Sequence, residues 1–357
     1  MNKNAPLMAL LAAAAFGIST PLAKLLLGNI SPWALASLLY LGSGFGLGII
    51  ALFRKKDGSS EARLSRHDIP WLIGTVIFGG VLGPILLLLG LTSTDAASAS
   101  LLLNLEAVFT LLLAWIVFKE HVDARLFMGA VAIVAGALLL SWQGETGQVQ
   151  TGSINIGFVL IALACLSWGI DNNLTRKISA VDPFVLASIK GVVAGSVNAV
   201  LAYAMGASLP SFGLLAGAMA LGFVSYGLGL VLFILALRHL GTARAGAYYG
   251  TAPFIGALAA AVLLGDSLTP TLMIAGLLMA FGAWLHLSER HSHTHDHATL
   301  DHAHRHVHDG HHNHEHDPDD PKNESHSHGH HHGPLAHAHA HWPDLHHRHR
   351  HSVVSDQ

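Results

Sequence analysis

The chain is poor in charge and poorer still in cysteine. Lys, Arg, Asp and Glu together make up 11% of its 357 residues, against about 25% in an ordinary soluble domain. So low a share excludes a globule that faces water on all sides. A single cysteine, Cys165, excludes an intramolecular disulfide and any thiolate metal cluster. It lies within an apolar run and reads as a small packing residue. No Gly-x-x-x-x-Gly-Lys-Ser/Thr segment occurs, so the chain carries no phosphate loop for ATP hydrolysis and is not expected to be an enzyme.

What the chain has instead is divided near Glu289. Residues 1–289 hold nearly all the long apolar runs, with 14 Lys/Arg and 12 Asp/Glu. Residues 290–357 hold 5 and 10, and almost no apolar run. Neither balance suggests nucleic acid.

A bilayer core about 30 Å thick takes about 20 mostly apolar residues per helix. Ten such stretches can be marked: Pro6–Leu27, Pro32–Phe53, Ile69–Leu91, Ala96–Phe118, Leu126–Trp142, Ile154–Leu174, Pro183–Tyr203, Phe212–Leu237, Thr242–Leu264 and Thr271–Leu287. Backbone polar groups must be satisfied within hydrocarbon, so each is expected to be helical. They lack the period-two alternation of a membrane β-barrel. The first could pass for a signal peptide, but its apolar length favours an uncleaved helix. The bonding partner of this surface is membrane lipid.

Orientation follows from the loops. With the N-terminus inside, the inner segments hold thirteen cations: Lys3, Arg54, Lys55, Lys56, Arg63, Arg66, Lys119, Arg125, Arg176, Lys177, Arg238, Arg244 and Arg290. The opposite loops, Gly28–Ser31, Thr92–Asp95, Gln143–Ser153, Ala204–Ser211 and Gly265–Pro270, hold none. Both termini are therefore expected in the cytoplasm of a bacterial inner-membrane protein.

The chain also matches itself. At a shift of 152, Phe16-Gly17-Ile18 falls on Trp168-Gly169-Ile170, and Lys24 on Arg176. At a shift of 146, Gly83 falls on Gly229, Ala97 on Ala243, Glu120 on Asp266, Gly136 on Gly282 and Leu139 on Leu285. Each half has five spans, an odd number, so the halves must lie in the membrane with opposite orientation. The expected fold is an all-α membrane protein of two inverted five-helix repeats, residues 5–142 and 154–288. Residues 290–357 follow as a disordered cytosolic tail. Inverted repeats of this kind are the architecture of alternating access in secondary carriers.

Several segments resemble one family. Ser98-Ala99-Ser100-Leu101-Leu102-Leu103-Asn104-Leu105-Glu106-Ala107-Val108-Phe109-Thr110, continuing to Trp115 and Glu120, is similar to the fourth helix of the drug/metabolite transporter superfamily, EamA type. Ala252-Pro253-Phe254 through Gly265-Asp266 resembles the ninth. Phe16-Gly17 and Trp168-Gly169 resemble the aromatic-glycine pairs of the first and sixth. The likeness covers residues 6–288. Two positions depart from the pattern: Ala107 stands where a proline is usual, and Asp266 where a glutamate is, which bears on local kinking or a helix cap. The resemblance implies an exporter of a small metabolite or amino acid.

Ionisable groups inside a span are costly and mark functional candidates. Glu106 lies eleven residues into its span, close to the midplane. It is either a proton-coupling carboxylate or the structural partner of a cation, with Lys190 in the seventh span the expected partner. Asn104 is two residues away and faces elsewhere on a helix. Asp171, Asn172 and Asn173 form a polar run opposite Ser19, Thr20 and Pro21 of the first repeat. Such residues near a helix end are also often satisfied locally. Tyr248 and Tyr249 point about 100° apart, so that one can line a cavity while the other packs. Pro21, Pro84 and Pro253 each remove a backbone donor from a span. Gly42, Gly44, Gly46 and Gly48, with the pairs Gly191/Gly195 and Gly213/Gly217, have the small-xxx-small spacing that lets helices approach closely.

The tail holds 24 histidines between His291 and His351. Many alternate: His291, His293, His295 and His297; His302, His304, His306 and His308; His326, His328 and His330. Neutral imidazole suits Zn, Ni and Co, while the near absence of thiolate disfavours Cu(I). Many interchangeable ligands imply several weak sites for divalent metal ions. No cofactor is required for transport itself. Three readings follow: an exporter of a small-molecule substrate with a metal-binding tail, a divalent-metal exporter fed by that tail, or a membrane metal-binding protein that does not transport.

Overall fold

In the computed structural model, the described residues are 4–53, 64–118, 122, 124–141, 155–178, 181–240, 242–287, 291–297, 300–306, 326–332 and 335–341. Nine helical stretches among them are long and apolar enough to cross a membrane, from Ala5–Leu27 to Ala245–Leu264, and Pro270–His286 is a shorter apolar helix. The apolar runs therefore become helices where the sequence marks them. Their bounds shift by two or three residues at most.

Six spans are single α-helices, the first two being α1 (Ala5–Leu27) and α2 (Pro32–Phe53), and four are divided. The third is α3 (Ile69–Thr75), a π-helical segment Val76–Leu82, and α4 (Gly83–Thr92). The fourth breaks at Leu103-Asn104 between α5 (Ala96–Leu102) and α6 (Leu105–Phe118). Then come α7 (Ala124–Ser141), α8 (Ile156–Thr175) and α9 (Pro183–Ala204). The eighth span is α10 (Phe212–Gly222), a second π segment Phe223–Leu228, and α11 (Gly229–Leu240). The ninth breaks at Gly250-Thr251 between α12 (Thr242–Tyr249) and α13 (Ala252–Leu264), and α14 (Pro270–Leu287) is the last. At the 146-residue shift, the two π segments and the two breaks coincide to within one residue.

The break in the fourth span has a local cause. Asn104 Nδ2 donates to Leu101 O at 2.8 Å, and the Glu106 and Ala107 N–H groups bond three residues back rather than four. An asparagine that competes with the backbone in this way tightens and interrupts a helix. In the ninth span Pro253 stands at the start of α13, where its missing N–H costs nothing.

Repeat partners pack against each other through small residues. Ser37 Oγ on α2 donates to Gly195 O on α9 at 2.8 Å, and Ser188 Oγ on α9 donates to Gly44 O on α2 at 2.9 Å. A shift of 151 residues exchanges the two bonds. At the α7–α14 contact, a side chain at Gly129 would strike Gly282 O, and one at Gly136 would strike Ala275 O. A shift of 146 exchanges these. In both pairs the residue numbers rise along one helix as they fall along the other, so α2 runs antiparallel to α9 and α7 to α14. Gly42, Gly44, Gly46, Gly48, Gly191 and Gly195 all sit against a neighbouring helix, as their spacing suggests. Gly213 and Gly217 do not: nothing lies within 4 Å of either added side chain. Cys165 is fully buried, as a packing residue should be.

Four segments of the tail fall among the described residues. Segments β1 (His291–His297) and β4 (Leu335–His341) pair antiparallel, as do β2 (Leu300–His306) and β3 (His326–His332). Strict alternation is compatible with extended backbone, though two-stranded ribbons without a packed face are marginal in water. The imidazoles singled out above have side chains outside the described residues, and His308 lies outside them altogether. So do Glu120 and most of the loop cations.

Candidate functional site

The π segment of the third span creates the polar interior. Gly83 N–H bonds Phe78 O, five residues back, and Pro84 has no N–H to offer. The carbonyls thereby released turn sideways into the bundle. Gly79 O accepts from Tyr40 OH at 2.5 Å and from Trp168 Nε1 at 3.2 Å. Gly80 O accepts from Asn198 Nδ2 at 3.0 Å. These freed carbonyls knit α2, α8 and α9 to the third span.

Around this hub the charged residues do not pair as expected. Lys190 Nζ lies 2.5 Å from Asp171 Oδ2, and Thr175 Oγ1 donates to Asp171 Oδ1 at 3.2 Å. Glu106, on the first turn of α6, instead accepts from Asn172 Nδ2 at 2.8 Å through Oε1. Helix rotation decides between the two: Asp171 on α8 faces α9, and its neighbour Asn172 faces α6. Asn172 also reaches Thr110 Oγ1 at 3.2 Å, and Asn173 Nδ2 reaches Thr110 O at 3.2 Å and Gly169 O at 2.9 Å. Glu106 keeps accessible surface and Asn172 is exposed, whereas Asp171 and Asn173 are buried. Thus Glu106, Asn172, Asp171 and Lys190 form one cluster. Asn104 lies outside it, on Leu101 O and near Met279 Sδ at 3.9 Å.

The tyrosines divide as their angle suggests. Tyr248 packs against the small cluster of Ala9, Ala236 and Ala245. Tyr249 faces inward, with ring centroids 5.8 Å from Phe16 and 4.4 Å from Phe233, within electrostatic reach of Glu106.

Asn198 escaped the sequence reading. It is fully buried, and among the described residues its Oδ1 has no hydrogen-bond partner. The signal was present, since a lone asparagine mid-span is costly unless bonded.

Close approach of α1 to α13 and of α8 to α6 follows the repeat. A side chain at Gly17 would strike Ala252 O, and one at Gly169 would meet Phe109 Cβ and Thr110 N at 3.0 Å. The first contact is apolar. The second carries Glu106 where Ala252 stands, and Asn172 where Thr20 stands. At the far end of the fourth span the bundle is sealed. Every residue of α5 is buried, Asp95 Oδ1 and Asp266 Oδ2 accept from Ser98 N and Ala97 N at 2.7 and 2.9 Å, and Lys24 Nζ donates to Leu91 O and Thr94 O. Asp266, the residue that departs from the family pattern, is thus a cap supplied to α5 by the other half.

A helical bundle with long apolar helices, an interior charge cluster and paired halves defines a polytopic membrane protein of the carrier class. The chain belongs to the EamA-like transporter family, whose model matches residues 3–142 and 155–288. It is therefore a membrane transporter of the drug/metabolite transporter superfamily. An uncharacterized transporter of Methanothermobacter thermautotrophicus is 30% identical over 284 residues, covering 76% of this chain and 82% of that protein. A probable amino-acid metabolite efflux pump of Salmonella typhimurium is 26% identical over 54% of this chain and 67% of its own length. A probable 4-amino-4-deoxy-L-arabinose-phosphoundecaprenol flippase subunit of Pseudomonas fluorescens is 34% identical over 84 residues, 24% of this chain and 73% of that protein. One crystal structure of a protein matches with a TM-score of 0.59 at 19% identity, over 80% of this chain and 96% of that one, a likeness of fold.

Proposed function

We propose that the protein is a secondary-active exporter of a small organic metabolite, working by alternating access between two inverted five-helix halves with both termini in the cytoplasm. The exchanged contacts carry this reading. The bonds Ser37–Gly195 and Ser188–Gly44 swap under one shift, and the Gly129–Gly282 and Gly136–Ala275 approaches swap under another. Two-fold pairing of antiparallel repeat partners supports an axis in the membrane plane, about which one half can rock against the other. The sealed α5 end, set against accessible Glu106 and Asn172, supports a state open on one side only. With the loop cations cytoplasmic, the open side is the inner one. Similarity to a probable efflux pump supports outward traffic of an organic solute.

The histidine-rich tail is proposed to bind Zn, Ni or Co and to tune transport. Passage of the metal itself draws no support from the interior. Lys190 occupies Asp171, and among the described residues no three His, Cys, Asp or Glu come together. Growth-toxicity screening of an overexpressing strain, across metals and amino acids, tests the reading directly. Resistance to organic solutes is the expected result. Resistance confined to metals would replace it with the metal-exporter reading.

A further inference from the structure

The interior carries a run of five aromatic rings from four spans. Tyr40 on α2 lies 5.8 Å from Tyr226 in the second π segment, measured between centroids, and Tyr226 lies 5.9 Å from Phe16 on α1. Phe16 continues to Tyr249 at 5.8 Å, and Tyr249 to Phe233 on α11 at 4.4 Å. The pairs are tilted or edge-on rather than stacked flat, so ring faces remain available. Phe16, Tyr226 and Tyr249 keep accessible surface although they face one another inside the bundle. Glu106 is within electrostatic reach of both Tyr40 and Tyr249.

The charges beside this run do not balance. Asp171 and Lys190 cancel at 2.5 Å. Glu106 is left with a neutral amide on Oε1, and among the described residues its Oε2 accepts no hydrogen bond. The cluster therefore has a net charge of −1 with Glu106 ionised. An anionic solute meets repulsion there. A zwitterion fares little better, because Lys190, the cation of this cluster, is already engaged by Asp171.

We infer that the interior site takes a small organic cation, an amine or quaternary ammonium, held between the faces of Phe16, Tyr226 and Tyr249 and the free oxygen of Glu106. Aromatic faces attract such a cation through the ring quadrupole, most strongly where water is excluded. The carboxylate supplies the countercharge that makes its desolvation tolerable. This narrows the exporter reading to one solute class, and its binding part stands without transport.

The test uses three probes of one shape: choline, its uncharged analogue 3,3-dimethylbutan-1-ol, and the zwitterion glycine betaine. Binding to the purified full chain in detergent is measured by calorimetry. Choline should bind at least about 10-fold more tightly than either of the others. Glu106→Gln and Tyr249→Leu should each abolish most of that preference, and Tyr249→Phe should retain it. Tyr226→Leu replaces Tyr249→Leu if the latter aggregates. Equal binding of choline and the alcohol, tighter binding of betaine, or no saturable binding of choline by the wild type would overturn the cation site. Counterflow in proteoliposomes separates the two readings. Choline bound but not exchanged refutes the exporter and leaves the site. Betaine exchanged without choline preference refutes the site and leaves the exporter.

Discussion

Lys190 reaches across from α9 to Asp171 on α8, 2.5 Å away, and leaves Glu106 to an asparagine. Both members of the pair are largely buried, with side-chain exposures of 20% and 10%. Removing one partner of such a pair strands the other, at about 3–5 kcal/mol, whereas removing both charges together costs much less. Lys190→Met should therefore lower the thermal midpoint of the detergent-solubilised protein sharply, and Lys190→Met with Asp171→Asn should recover most of the loss. A double variant no more stable than the single one would show that the ion pair is not what Lys190 contributes.

Glu106 should matter to transport more than to folding. Its repeat counterpart is Ala252, so the scaffold does not need a carboxylate at this position. Glu106→Gln keeps the volume, and the amide can still accept from Asn172. We expect normal membrane insertion with transport at least ~10-fold slower, or no longer dependent on pH. Wild-type rate and pH profile in the variant would remove Glu106 as a coupling residue.

Ser37 and Ser188 make exchanged hydrogen bonds, so their loss should cost the same. Interhelical hydrogen bonds in membranes average about 0.6 kcal/mol. Ser37→Ala and Ser188→Ala should each destabilise by about that amount in denaturant titration of micelles, within ~0.5 kcal/mol of each other. A several-fold disparity would mean that the two halves do not share one crossing geometry.

Reporter fusions after Gln148 and after Gln357 should read outside and inside, given the loop cations. The same side for both would refute the topology.

Truncation after Arg290 should leave membrane insertion and organic-solute export intact, because no helix is touched, and should abolish any response to Ni or Zn. The isolated peptide of residues 290–357 should bind either metal in the micromolar range at neutral pH. Imidazole must be deprotonated to coordinate, so binding should fall as pH drops through about 6.5. A peptide indifferent to both metals would reduce the tail to a polar extension.

The spans were legible because hydrocarbon thickness dictates their length and the apolar runs declare it. Pro32–Phe53 and Ala96–Phe118 come out with the bounds the sequence suggests. The cluster was legible as a list, since mid-span Glu106, Asp171 and Lys190 stand out against leucine and alanine. Its pairing was not. Asp171 and Asn172 are one residue, and thus about 100°, apart on α8, and only the seating of α8 against its neighbours decides which of them meets Lys190. The π segments had no signature beyond Gly79, Gly80 and Pro84, because a widened turn is a backbone event that many side chains allow. Asn198 was visible but unread.

The two widened turns fall at matching places in the chain. A π segment holds one residue more than the α-helix around it would need. The surplus occurs in the third span at Val76–Leu82 and in the eighth at Phe223–Leu228, at matching places in the two halves. The widened turn is thus common to both halves, whereas Glu106 in the first half and Asn172 in the second stand opposite Ala252 and Thr20, so the charge cluster has no counterpart across the repeat.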